Sequence, residues 1–192
     1  LHDGDLLVIN DTKVFKARLD ALKTTGGKVE ILLEKQVDQY NAFAVTKSNR
    51  PLKLNDKLII QNSEITAEVS EKQDYLCLLK FSHNLDEVIE LYGSMPIPPY
   101  MNRSPNQSDY ERYQTVYADK TKERSSASPT AGLHFEEKLL QSIKDKGVDI
   151  APITLDIGLG TFKPITSEEI TQHKMHSERI YLSEETSEKI NK

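Results

Sequence analysis

Val14-Phe-Lys-Ala-Arg-Leu-Asp-Ala-Leu-Lys-Thr-Thr-Gly-Gly-Lys-Val-Glu-Ile-Leu-Leu33 reads as two strands around a turn. Residues 14–22 and 29–33 are rich in aliphatic side chains, and the Thr-Thr-Gly-Gly between them suits a hairpin, because glycine reaches positive φ without steric cost. Working outward, residues 42–46, 57–60, 65–69 and 75–79 repeat the pattern, separated by polar turns such as Ser48-Asn-Arg-Pro51 and Asn55-Asp56. Closely spaced short strands with no long helix over about the first ninety residues predict a small antiparallel β-barrel. Residues 5–10 form a further strand ahead of it.

Beyond the barrel the grammar changes. Residues 85–92, closed by Gly93, are predicted helical, and Met95-Pro-Ile-Pro-Pro-Tyr100 extended, since each proline restrains its own φ and its predecessor. Helices are expected over 109–118 and 135–146. In the second, Phe135, Leu139, Leu140 and Ile143 share a face and Gly147 provides the stop. Residues 150–157 read as a strand, Thr166-Ser-Glu-Glu169 as a capping box, and Ser183 as a helix N-cap. Strand, helix, strand, helix is α/β grammar, following a run of strands.

The 192 residues suffice for one ample domain or two modest ones. With 25 Lys and Arg against 30 Asp and Glu the net charge is −5, and 37% of residues are hydrophobic, so a core can form. The mild acidity argues against a general nucleic-acid binder but leaves room for a local basic face. A single cysteine, Cys77, excludes an internal disulfide and fits a reducing cytoplasm. No apolar run approaches the ~20 residues of a membrane span. Leu1 in place of Met, and a helix that begins near the last residue, predict an interior piece of a longer chain.

Four loops hold most of the chemistry. Asn10-Asp11-Thr12 ends the opening strand, where a plain turn is the alternative. Ser128-Pro-Thr-Ala-Gly-Leu-His-Phe135 feeds a helix start, a seat for an anion with His134 placed to move a proton or merely to cap. Ile157-Gly-Leu-Gly-Thr-Phe162 lacks the third glycine of a dinucleotide fingerprint; it is either a tight turn or a backbone open to a ligand, with Phe162 available for stacking. His173-Lys-Met-His176-Ser-Glu178 groups proton-transfer side chains. Its spacing matches no established zinc pattern, so acid–base or anchoring work is preferred and no metal is expected.

Taken in order, Gly4-Asp-Leu-Leu-Val-Ile-Asn-Asp-Thr-Lys-Val14 with Ala17-Arg-Leu19, Met95–Tyr100, Glu111-Arg-Tyr-Gln-Thr-Val-Tyr-Ala118, Ser128–Phe135, Gly158-Leu-Gly-Thr-Phe162 and His173–Glu178 closely resemble the S-adenosylmethionine:tRNA ribosyltransferase-isomerase family of queuosine biosynthesis. The resemblance covers essentially the whole chain, and it implies the fold: α+β or α/β, an α/β cradle domain over residues 1–14 and 83–192 with a small antiparallel β-barrel inserted over 15–82. It implies transfer and isomerisation of the ribosyl part of S-adenosylmethionine onto 7-aminomethyl-7-deazaguanine at the tRNA wobble position, giving epoxyqueuosine-tRNA, adenine and methionine. S-adenosylmethionine is then a co-substrate, with no permanently bound cofactor. The implied setting is cytoplasmic and monomeric, with no membrane partner.

Such a reaction needs a base near the sulfonium, whose C5′ hydrogens are acidic, and an acid for departing adenine. Asp11, His134, Asp156, His173, His176 and Glu178 are the catalytic candidates. The motifs suggest Asn10, Thr12, Arg18, Arg103, Tyr113, Gln114, Pro129, Thr130, Ala131, Gly132, Phe135, Gly158, Gly160, Thr161 and Phe162 for substrate binding. Lys120, Lys122 and Arg124 are the candidates for tRNA phosphates, or a solvated basic run. Two departures stand out: Arg124-Ser-Ser-Ala-Ser128 replaces the family's usual Gly-small-Val-Ala-Ala, and Asp156 stands where the family usually carries His. Lacking the rest of the cradle, this piece alone is expected to be inactive. A non-catalytic RNA- or nucleotide-binding module, or a metal-dependent hydrolase on His173, His176 and Glu178, are the alternatives.

Overall fold

A computed structural model describes residues 1–73, 75–162, 167–172 and 175–192. The chain packs as two units, Lys16–Pro96 and a second formed by Leu1–Phe15 with Ile97–Lys192.

The first unit is built on the hairpin that opens the sequence reading. Strands β3 (Arg18–Lys23), β4 (Lys28–Gln36), β5 (Asn41–Ser48), β6 (Lys57–Ile60), β7 (Thr66–Gln73) and β8 (Leu76–Phe81) close into a barrel in the order β3-β4-β5-β8-β7-β6. All pairings are antiparallel. Alternation does the sorting: Val29, Ile31 and Leu33 on β4 point inward with Leu19, Leu58, Ile60, Val69 and Leu79, each at most 2% exposed. Closure leaves no free barrel edge. Register shifts at Leu33/Lys35 and Val69/Glu71 mark bulges, which help a small sheet bend. Helix α1 (Leu85–Tyr92) belongs to this unit; Asn84 caps it by accepting from Asp86 N, and Leu85 and Val88 are buried.

In the second unit, β1 (Leu6–Asn10) runs parallel to β10 (Asp149–Asp156), which pairs antiparallel with β11 (Arg179–Tyr181). A small parallel pair joins β2 (Lys13–Val14) to β9 (Glu123–Ser125). The fold is therefore α+β, with a closed six-stranded antiparallel barrel and a separate mixed sheet. Among the described residues no helix is long and apolar enough to cross a membrane.

Several expected elements are differently bounded, each for a visible reason. The strand expected over 14–22 is divided between the units: Val14 pairs with β9, and the barrel strand starts at Arg18. Helix α2 (Asp109–Arg112) stops well short of 118. Downstream of it the Gln114 amide is committed to both backbone groups of Val14, at 3.0 and 2.7 Å, and Asp119 N donates to Asp11 O at 2.8 Å, so tertiary bonds outcompete the helical ladder. The second proline of Pro98-Pro99 opens a 3₁₀ turn over Pro99–Met101, which ends the extended run before Tyr100.

Helix α3 (Glu137–Asp145) begins two residues later than expected, because Phe135 and Glu136 are extended after a 3₁₀ turn over Thr130–His134. Its stop at Gly147 holds: φ is +80° there, and an added Cβ would lie 2.0 Å from an Asp3 carboxylate oxygen. None of its residues is buried, and Leu139 is 46% exposed. Helix α4 (Glu184–Ile190) is capped by Ser183, whose hydroxyl accepts from Thr186 N. The capping box expected at 166–169 begins at Thr166, outside the described residues.

Candidate active site

Site-forming loops of the second unit gather at the C-terminal end of β10. Parallel pairing brings Asn10 opposite Ile153, and the Asn10 side chain then continues the ladder where the backbone turns away. Its Nδ2 donates to Leu155 O at 3.0 Å, while Oδ1 accepts from Leu155 N at 2.9 Å and from Thr12 N at 3.1 Å. An amide side chain can do this because it reproduces the donor and acceptor of a peptide group.

Asp11 and Thr12 lie beneath, 5% and 1% exposed. Asp11 Oδ1 accepts from Thr154 Oγ1 at 2.6 Å and Oδ2 accepts from Lys122 Nζ at 2.5 Å. The hydrogen bond to Asp11 is the chief reason the Lys122 ammonium is held above the usual lysine range. Thr12 Oγ1 meets Ser125 Oγ at 2.7 Å, and Ser125 Oγ accepts from Ile157 N at 2.8 Å. Ser126 N donates to Ile157 O at 3.0 Å. Ser125, Ser126 and Thr154, absent from the sequence-based candidates, thus anchor the residues just before Gly158. Thr154, a buried hydroxyl within β10, carries a local signal, while Ser125 and Ser126 sit in a polar stretch that gives none.

From this anchored strand end the chain enters the 3₁₀ turn Leu159–Phe162. Gly158 N donates to Glu178 Oε1 at 3.2 Å, and the same oxygen stands 3.4 Å from His176 Nε2. The imidazole lies against Gly160 so closely that a Cβ there would fall 2.3 Å from His176 Cγ. Glycine is required because the ring occupies the side-chain volume. A backbone N–H and a carboxylate 20 positions apart are thereby brought together with an imidazole. Asp156 stands opposite Arg179 across the β10–β11 pair.

The other candidates are distributed around the fold. Arg103 is clamped by both Asp109 oxygens, at 2.6 and 2.8 Å, and that pairing holds the Asp109 carboxyl down at about 2. Gln114 is the brace on Val14 described above. Arg18 sits in the barrel unit, ion-paired with Glu30. Burial pushes the Tyr113 phenol up, and the Ser128 backbone N–H partly offsets it. Tyr117 meets Phe135 edge-on at 6.1 Å.

In the Thr130–His134 turn, Gly132 is buried, Pro129 half-buried, and Thr130, Ala131 and His134 exposed; Thr161 is exposed too. Two hydroxyls in this neighbourhood of the sequence, Thr115 Oγ1 and Ser128 Oγ, are sealed from solvent with no hydrogen-bond partner among the described residues. Lys120 is exposed. His173 lies outside the described residues, and only the backbone of Arg124 and Phe162 is described. Among the described residues no three ligating side chains converge on a metal position.

The family model described as "Queuosine biosynthesis protein" matches residues 1–192. An S-adenosylmethionine:tRNA ribosyltransferase-isomerase of Legionella pneumophila is 48% identical over 183 residues, which is 95% of this chain and 53% of that protein. Proteins of the same name from Acinetobacter baumannii and Nitrosomonas europaea are 43% and 41% identical, over 98% and 99% of this chain and 54% of each relative. The chain spans about half the length of these curated relatives. A crystal structure of an S-adenosylmethionine tRNA ribosyltransferase from Thermotoga maritima aligns with TM-score 0.38 and 24% identity, over 100% of this chain and 48% of that one.

Proposed function

Because the chain belongs to the queuosine biosynthesis protein family, we propose that it carries part of the active site of a tRNA ribosyltransferase-isomerase. The substrates are S-adenosylmethionine and a tRNA with 7-aminomethyl-7-deazaguanine at the wobble position; the products are epoxyqueuosine-tRNA, adenine and methionine. The protein acts in the cytoplasm, as a monomer. The observation that carries this reading is the meeting of Gly158 N–H, Glu178 and His176 over the bare Cα of Gly160.

His176 is the proton-transfer group and Glu178 its positioning residue. With Oε1 fixed by Gly158 N–H, the carboxylate favours the imidazole orientation that turns Nε2 toward it, leaving Nδ1 to accept a proton. The proton removed is one made acidic by the adjacent sulfonium, at C5′ of the ribosyl group. Asn10, Thr12 and Ser125 hold the strand end from which this turn springs. Asp11, with both oxygens engaged, supports that framework instead of acting as the base.

The test is adenine release from S-adenosylmethionine in the presence of substrate tRNA, measured on the full-length gene product. His176→Ala is expected to lower the rate at least 100-fold, in line with the usual worth of general acid–base catalysis. Glu178→Gln should lower kcat more than it raises KM. Adenine release unchanged in His176→Ala refutes the assignment, and no turnover by the wild type refutes the function.

A further inference from the structure

The barrel unit is electrically lopsided. Strand register places the turn between β3 and β4, the loop over residues 48–57 and the turn after β7 at one end of the barrel. Lys28, Lys47, Arg50, Lys53 and Lys72 are exposed at that end. Two lysines there are held by backbone: Lys23 Nζ donates to Arg50 O at 2.6 Å and Lys72 Nζ to Leu52 O at 2.9 Å. Carbonyl partners fix the ammonium groups without neutralising them.

The acids described toward this end are Glu30, opposite Lys47, with Asp56 and Glu71, while Glu68 lies midway along β7, opposite both Lys57 and Lys80. Lys57 stands at a loose 3.9 Å from Glu68. The opposite end has the reverse balance: Glu34, Asp38, Glu64, Asp86, Glu87 and Glu90 outnumber Lys16, Arg18, Lys35 and Lys80. The chain also enters and leaves the unit at this acidic end, where Arg18 and Ser94 exchange backbone hydrogen bonds of 3.1 and 2.8 Å.

We propose that the basic end of the barrel is a docking surface for the sugar–phosphate backbone of the RNA substrate. The inference rests on the tRNA-modifying reading and extends it to a second contact surface. A chain of net charge −5 repels a polyanion as a whole, so productive encounter needs cations segregated onto one face. Segregation by barrel end supplies that face, whereas cations serving only solubility need no such sorting. The cluster suggested by Lys120, Lys122 and Arg124 is also weaker than its sequence implies, since Lys122 is committed to Asp11. Backbone phosphates carry no sequence information, so this surface orients the RNA and does not select its base.

The test measures tRNA binding by fluorescence anisotropy across a salt series, without S-adenosylmethionine. The triple variant Lys28→Glu/Arg50→Glu/Lys53→Glu changes only exposed side chains, and circular dichroism checks its fold. Its affinity should fall at least tenfold at about 100 mM salt, with a slope of log K against log salt shallower by about 2. The control Lys35→Glu/Lys80→Glu, at the acidic end, should stay within twofold of wild type.

A triple variant that binds like wild type refutes the surface while leaving the enzymatic reading intact. So does an equal loss in the control. Poly-glutamate competing as well as tRNA also overturns the proposal, because the surface would then suit an acidic protein. A wild-type chain that binds no tRNA even at low salt removes the RNA substrate and this surface together.

Discussion

Replacing Asp11 by alanine should destabilise the second unit by about 3 kcal/mol. Asp11 is 5% exposed and accepts from Thr154 Oγ1 at 2.6 Å and Lys122 Nζ at 2.5 Å. Thr154 is itself only 4% exposed, so its hydroxyl would be left buried without this acceptor, at a cost of about 2 kcal/mol. The Lys122 side chain is 34% exposed and keeps Asp119 at 3.6 Å, so solvent screening limits its share to about 1 kcal/mol.

At ~2–4 °C per kcal/mol for a chain of this size, the melting temperature of the unit should fall by about 6–12 °C. Urea unfolding followed by amide NMR separates the units, with Leu155 and Ser126 reporting on the site and Val69 on the barrel. Lys122→Ala, which leaves the buried Asp11 carboxylate without its cation, should cost about 3 kcal/mol, and Asp11→Asn less than Asp11→Ala, because it retains an acceptor for Thr154. The Lys122 contribution also has a definite pH sign. Its folded value is raised above 10.5, so the stabilisation is present below that pH and is lost as pH rises through the raised value. An Asp11→Ala loss below about 1 kcal/mol, or an equal shift at Val69, would refute the reasoning.

The Asp109 carboxyl should titrate at about 2 by NMR and move up toward 3.8 in Arg103→Ala. Its stabilisation is therefore complete above pH 3.8 and disappears as pH falls through about 2. Gly160→Ala should displace the His176 ring, seen as changed imidazole ¹⁵N shifts, and lower adenine release. The melting temperature should fall as well, because the added Cβ meets the ring's Cγ and the whole imidazole, with its Glu178 contact, must move; unchanged ring shifts would contradict the packing. Ser128→Ala removes a buried hydroxyl with no partner among the described residues and should stabilise by about 1 kcal/mol in urea unfolding. A loss of stability would mean that the hydroxyl is in use.

The barrel was legible because its signals are local. Alternation along Val29-Glu-Ile-Leu-Leu33, glycines at the hairpin turn and Gly93 at the end of α1 all act within a few residues. The helix expected at 109–118 failed because Gln114 and Asp119 bond to Val14 and Asp11, partners about 100 residues away that no local window contains. The site was partly legible in the same sense. Gly158, Gly160, His176 and Glu178 were singled out for residue type, and they do meet. Gln114 and Arg103 were singled out equally, yet are engaged by Val14 and Asp109.

Sequence alone determined the barrel strands with β1 and β10, where the glycine stops fall and which loops carry chemistry, since backbone sterics and periodic burial are written into short stretches, whereas the three-residue β9 and β11 are set by their pairing partners. Tertiary structure decided which polar groups are committed and which remain available. Asn10 reaches Leu155 across 145 positions and Asp11 reaches Lys122 across 111, and a carboxylate or amide shows its role only when its partner is in place.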